Sequence, residues 1–273
     1  MKRIGLALGG GGVRGLAHIP VLELLDELGL RPCAIAGTSM GAVLGALYAS
    51  GLSGRRIREL VEGHTIMEGD TFRDVLGKRS SLLEWVGALM PRRGGGGLID
   101  GERFLSRLFA GIDKPTFAEL DVPLVVVATD YWTYEEVVFA DGELLPAIRA
   151  SMAVPGAFKP VVMDGRVLVD GGIVNLVPFD HLRGRCDVTI AVEVGREKAP
   201  GRQEPPGVLH SILGAFDILQ TAALDRKLAD DGPDVLVRMR IRDVEILDFS
   251  KAAEVFRQAK PEIARLRKRL AGL

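Results

Sequence analysis

Aromatic residues make up only 5% of this 273-residue chain, cysteines number two, and net charge is close to zero. No apolar run approaches the roughly 20 residues that a membrane-spanning helix needs. Cys33 and Cys186 lie far apart and lack metal-type spacing, which excludes a disulfide-dense scaffold or a zinc centre as the organising feature. Each cysteine reads instead as a small buried hydrophobe. Lys+Arg at 35 against Asp+Glu at 36 gives a formal charge of -1, so no basic excess points to nucleic acid as a partner. The start, Met1-Lys2-Arg3 followed by apolar Ile4 to Leu8, is too short for the apolar core of a signal peptide. The expected location is therefore cytoplasmic, which still permits peripheral contact with the inner membrane surface. What remains is an ordinary globular composition, 47% hydrophobic and 26% charged, long enough for one large α/β domain or two small ones.

The apolar periodicity alternates between strand and helix. Ile4 to Leu8 is a short buried strand closed by glycines, and Leu16 to Leu28 carries apolar residues at helical spacing up to Gly29. Cys33 to Ala36 is a second strand, followed by a small-residue helix to about Ser50, so the chain opens with a parallel βαβ unit. Residues 53–100 break the rhythm with amphipathic pieces at Arg56 to His64 and Ser81 to Met90, then Gly94 to Gly97. This insertion reads either as a cap over a site or as a surface excursion. Within it, Leu82, Leu83, Trp85, Val86, Leu89 and Met90 beside Arg92 and Arg93 suit an internal packing face or a membrane interface equally. Order returns with strands at Val122 to Ala128 and Glu136 to Ala140, and a helix at Glu143 to Met152. A hairpin turning at Asp164-Gly165 follows, then a strand at Val188 to Val194 and a linker-like loop from Gly195 to Gly207. A long helix from Val208 to Asp230, a strand from Val235 to Met239 and helical segments either side of Pro261 complete the chain. No internal repeat is present. The pattern predicts one α/β domain over 1–273, three layers with a mainly parallel central sheet.

Three motifs fall at strand ends. Gly9-Gly10-Gly11-Gly12-Val13-Arg14-Gly15 follows the first strand, and such a run presents backbone N–H groups to an anion. Its spacing also fits a dinucleotide fingerprint, but the second strand ends Ala34-Ile35-Ala36-Gly37 without the expected ribose carboxylate. No Gly-Lys-Ser/Thr closes a phosphate loop either. Gly37-Thr38-Ser39-Met40-Gly41 is a G-x-S-x-G turn between strand and helix, where small neighbours let a serine hydroxyl project. Asp170-Gly171-Gly172 is by itself a turn signal, yet it ends an apolar strand, where sites gather in open α/β sheets. A nucleophilic serine needs a base and donors for its oxyanion. Ser39, Asp170 and the glycine loop offer all three.

A triad would add a histidine late in the chain. His18 sits in the first helix as a packing or hydrogen-bonded residue, His64 in the irregular segment, and His210 near the start of the long helix. His181 is the best placed, but it stands more than a turn beyond the Asp170 motif. A Ser39–Asp170 dyad is therefore preferred, with burial raising the proton affinity of Asp170.

Gly9 to Ile19, Gly37 to Gly41, Asp170 to Gly172, the segment Ala147 to Gly156 and the strand ending Val127-Ala128-Thr129-Asp130 together resemble the patatin-like phospholipase family. The bacterial members related to neuropathy target esterase are the most similar. The resemblance implies a three-layer α/β/α fold and calcium-independent lipid acyl hydrolysis with no metal or other cofactor. It makes Ser39 the nucleophile, Asp170 its partner, and the loop of Gly10, Gly11 and Gly12 the oxyanion hole. Arg14 supports that loop or meets an anionic substrate group, and Gly15, Gly37, Gly41, Gly171 and Gly172 shape the motifs. The implied substrate is an acyl-ester lipid, a phospholipid or lysophospholipid. Where the family shows a Thr-Gly-Glu stretch, this chain has Tyr131-Trp132-Thr133-Tyr134-Glu135, a bulkier loop expected to reshape the acyl pocket. Two other readings remain open: a catalytically silent lipid-binding regulator, and an acyltransferase that recruits a histidine such as His181.

Overall fold

The computed structural model describes residues 2–63, 105, 106, 108–197, 205–246 and 248–272. The stretch 81–90, the glycine run 94–97 and His64 thus lie outside the described residues. Strands β1 (Ile4–Leu8), β2 (Ala34–Thr38), β3 (Leu124–Asp130), β4 (Glu136–Phe139), β5 (Val161–Met163), β6 (Arg166–Asp170), β7 (Val188–Arg196) and β8 (Val235–Ile241) form one sheet. Its order is β5-β6-β3-β2-β1-β7-β8, with β4 paired to β3. β1, β2, β3, β7 and β8 are parallel neighbours, whereas β4 and β6 run antiparallel to β3.

Alternation along the strands sorts the two faces. Leu6, Leu8, Ile35, Val126 and Val192 enter the main core with α1 (His18–Glu27), α2 (Met40–Ala49), α3 (Gly54–Glu62) and α4 (Leu144–Ser151). The intervening Ala7, Ala36 and Ala191 face the other way, where Val177, Phe179 and Leu182 pack with Leu224 of α5 (Val208–Asp230). Small alanines on that side let the 3-10 turn Phe179–Leu182 lie close against β1, β2 and β7. Both faces are covered, so the central strands are apolar throughout instead of alternating with polar residues. Full burial of a side chain such as Leu44 or Leu47 stabilises by about 1.5–3 kcal/mol.

Two expectations change. Cys33 and Cys186 are half-buried and joined in a disulfide that bridges 153 residues. They flank β1 because β2 and β7 are its two neighbours, an adjacency no local pattern reveals. The final helix α6 (Ala252–Leu270) runs straight through Pro261. Pro261 lies on the solvent side, and burial of Val255, Phe256, Ala259, Leu266 and Leu270 outweighs the one missing N–H bond. The segment 53–63, the described start of the insertion, packs into the body. Ile57 is buried, Gly54 N–H donates to Asp26 and Arg58 pairs with Glu23.

The register of β3 places the functional motifs. Val126 and Val127 pair with β2 on one edge and with β4 on the other. Ala128 and Thr129 pair with β4 and also with β6, so β6 lies on the same edge as β2. β2 ends with Thr38 opposite Val127, and antiparallel β6 ends with Asp170 opposite Ala128. The two strands meet end to end on consecutive residues of β3. A Cβ on Gly171 would stand 2.1 Å from the Val127 carbonyl oxygen, so the turn after Asp170 closes directly over that template.

Candidate active site

Ser39 occupies a sharp turn with φ 55 and ψ -123 between β2 and α2, a backbone region L-residues rarely adopt. Its neighbours hold it there. A Cβ at Gly41 would fall 2.0 Å from the Leu8 carbonyl oxygen, so α2 can start beside β1 only with glycine at that position. The Ser39 N–H donates to Ser151 Oγ at 2.9 Å, while its carbonyl accepts from Ala42 and Val43 in the first turn of α2. The positive end of that helix thus faces the serine.

Asp170 is fastened from three sides. Its N–H donates to the Ala153 carbonyl at 3.0 Å, its carbonyl accepts from Thr129 Oγ1 at 2.9 Å, and its Oδ1 accepts from Gly172 N–H at 2.7 Å. Burial pushes its pKa up to about 6; the nearby Ser39 hydroxyl and the Gly172 N–H pull the other way. That hydroxyl does not meet Oδ2 in standard hydrogen-bond geometry, and Oδ2 is left buried with no partner. A carboxylate oxygen in that setting has unsatisfied demand for a proton.

The glycine loop faces the same cleft, with Gly10, Gly11, Gly12, Ser39 and Asp170 all in its lining. Apolar Val154, Leu176, Val194, Phe216 and Ile246 share the walls with Arg14, Asp217, Gln220 and Thr221. Gly10 N–H donates to the Leu176 carbonyl at 3.0 Å, which makes this residue an anchor. Gly11 and Gly12 begin the 3-10 turn Gly12–Ala17, where N–H groups have no partner inside the turn. Gly15 packs against Met40, and Gly37 against Ala42.

Arg14 is 4% exposed and forms a two-pronged pair with Asp217 of α5 at 2.9 and 3.1 Å. Its Nε also donates to the Gly11 carbonyl. Of the two roles expected for Arg14, these contacts are those of loop support. His18 Nε2 donates to the Gly9 carbonyl at 2.8 Å, and burial lowers its pKa to about 4 despite that bond, so it stays neutral. His181 bonds Glu136 at 2.7 Å, away from Ser39. Its pKa is raised by that carboxylate, against some desolvation.

Glu136, Asp180 and His181 offer ligand atoms spaced to hold a cation. Lys227 already supplies one, bonded to Asp180 and to Asn175 Oδ1. Asn175 Nδ2 donates to Glu136 and Asp180, and the Asn175 carbonyl accepts from Thr38 Oγ1 at 2.9 Å. This polar girdle ties the residue before Ser39 to the loop after Asp170. The sequence reading missed Ser151, Asn175 and Asp217. Ser151 lay within the family-like segment, but nothing local marked the other two.

The bulky loop after Asp130 does not line the cleft. Tyr131, Trp132 and Tyr134 are 48%, 71% and 81% exposed, so the expected reshaping of the pocket by these side chains is not what the structure contains.

Comparison with known proteins bears on the family and the fold. An uncharacterized NTE family protein of Mycobacterium tuberculosis is 37% identical over 224 residues, 81% of this chain and 57% of that protein. Human patatin-like phospholipase domain-containing protein 6 is 33% identical over 71% of this chain and 13% of its own length. Lysophospholipase nte1 of Aspergillus fumigatus is 30% identical over 71% of this chain and 12% of its own length. The chain thus spans little more than half, or far less, of these relatives. VipD from Legionella pneumophila shares the fold, with a TM-score of 0.53 at 14% identity over 97% of this chain and 67% of that one. The family model for patatin-like phospholipases matches residues 6–183, across the glycine loop, the serine turn and the aspartate turn, and the chain belongs to that family.

Proposed function

We propose that the protein is a serine acyl hydrolase of lipid esters, with Ser39 as nucleophile and Asp170 as base. The observation that carries this reading is the buried, unpartnered Oδ2 of Asp170, on a carboxyl whose pKa is raised to about 6 at the end of the strand that meets Ser39. Such a carboxylate is ionised at neutral pH yet basic enough to receive a proton. In the proposed reaction Ser39 Oγ attacks the ester carbonyl and its proton passes to Asp170 Oδ2. Charge on the former carbonyl oxygen is met by the N–H groups of Gly11 and Gly12, within the loop anchored by Gly10. The alcohol leaves with the proton from Asp170, and water releases the acyl group by the reverse proton path. These steps draw on no metal ion. The lipid substrate rests on the family and on relatives named as phospholipase and lysophospholipase, together with the apolar part of the cleft wall formed by Val154, Leu176, Val194, Phe216 and Ile246.

A fluorophosphonate probe tests the serine, and turnover of a short p-nitrophenyl ester tests the pair. Wild type is expected to label and turn over. Ser39→Ala abolishes both, and Asp170→Asn lowers turnover at least 100-fold. Full activity in either variant refutes the dyad.

A further inference from the structure

The turn between β3 and β4 presents aromatic side chains to solvent in a chain with few of them. Among the described residues Tyr131, Trp132 and Tyr134 are the exposed aromatics, and Tyr131 meets Trp132 edge-on with ring centroids 5.0 Å apart. The backbone beneath them is fixed. Asp130 Oδ1 accepts from the N–H groups of Trp132 and Thr133, Tyr134 N–H donates to the Asp130 carbonyl, and Tyr131 N–H donates to Val167 of β6. Tyr134 has φ 63, so the turn holds a bulky residue where glycine is favoured.

The turn stands at the site end of the sheet. Thr38 pairs with Val127, and Tyr131 follows four residues later, so the tip projects roughly 13 Å beyond the level of Thr38 at ~3.3 Å per residue. Glu136, directly after the turn, is bonded to Asn175, which accepts from Thr38. Ile173 and Val174, just past Asp170, and Ile218 and Leu219, on the cleft-lining part of α5, are exposed as well.

We infer that this aromatic turn anchors the protein on a phospholipid bilayer, with the cleft mouth facing the lipid. The inference rests on the proposed lipid hydrolase activity for its purpose, not for its geometry. Tyrosine and tryptophan pair an apolar ring with a polar tip, the chemistry of the headgroup boundary. The three rings expose roughly 300–500 Å², short of the roughly 800 Å² per partner that a stable protein interface needs. A protein large enough to reach the apolar residues of α5 as well would cover the mouth, whereas a bilayer delivers substrate to it. Arg166 lies 4.0 Å from Asp130, and Glu135 stands beside the tip, so the described residues near the rings are of mixed sign and form no positive patch. Docking is then driven by interfacial partition and does not require anionic lipid.

Binding is measured on Ser39→Ala protein, which separates docking from turnover, by co-sedimentation with phosphatidylcholine vesicles. The added pair Trp132→Ala and Tyr134→Ala is expected to weaken partition at least tenfold, and Trp132→Tyr is expected to retain most of it. In the active protein the same pair leaves hydrolysis of a soluble short-chain ester unchanged, which also certifies folding. Equal partition with and without the aromatics overturns the inference. So does binding that needs anionic lipid and vanishes in 0.5 M salt, or a dimer in sedimentation that the pair dissociates.

Discussion

Replacing Asp170 by asparagine should make the protein more stable and less active at once, and the stability gain should depend on pH. In the folded state the Asp170 pKa is about 6, raised by burial from 3.8. The unfolded chain therefore releases this proton first as pH rises, and the folded state binds more protons between those values. Stability falls as pH rises through that window. Below about pH 4 the two states are protonated alike and the penalty is absent; above about pH 6 it is complete. A shift of this size corresponds to about 3 kcal/mol at pH 8, with about half of that already present at pH 5. Asparagine keeps the Oδ1 acceptor for Gly172 N–H but carries no charge to desolvate. The assay is urea unfolding of wild type and Asp170→Asn at pH 5 and pH 8, each free energy extrapolated to water. The variant's advantage should grow by about 1.5 kcal/mol from the lower to the higher pH. An advantage identical at both values would show that Asp170 is not raised, and the argument for it as the base would fail. Wild-type kcat/KM should correspondingly lose activity on the acid side with an apparent pKa near 6.

Ser151→Ala removes the acceptor of the buried Ser39 N–H, and an unmet buried donor costs about 1–3 kcal/mol. Urea unfolding should show that loss, and kcat on a soluble ester should fall more than KM changes, because the turn that aims the hydroxyl is loosened. Asp217→Ala strands the buried Arg14 guanidinium, which should destabilise by about 3–5 kcal/mol in thermal or urea unfolding; a loss under 1 kcal/mol would remove Arg14 as support for the loop. His181→Ala should label with a fluorophosphonate probe as wild type does, since its ring bonds Glu136 and not Ser39. A variant that no longer labels would revive histidine-assisted acyl transfer.

Some of this was legible before any fold was known. The G-x-S-x-G turn, the glycine loop and Asp170 were readable because each motif fits in a few residues, where spacing and residue size carry the chemistry. The helix at Val208–Asp230 matched its reading to the residue, since glycine before it and the turn after it are local signals. Pro261 misled because a local helix breaker can be overruled by a buried face that spacing alone does not weigh. The bulky Tyr131 to Glu135 loop was assigned to the pocket because sequence shows which side chains are large and not which way a turn points.

The sequence by itself determined which residues stand at strand ends and which faces of the elements are apolar, because those properties repeat every two or about 3.6 residues. Tertiary structure alone decided that β2 and β6 end on neighbouring residues of β3, which brings Ser39 and Asp170 together across 131 positions. It also decided that Gly10 is an anchor, that Asp217 neutralises Arg14, and that Cys33 and Cys186 are joined. Each of these depends on strand order and register, which are set by how the whole core packs and leave no trace in any short stretch of chain.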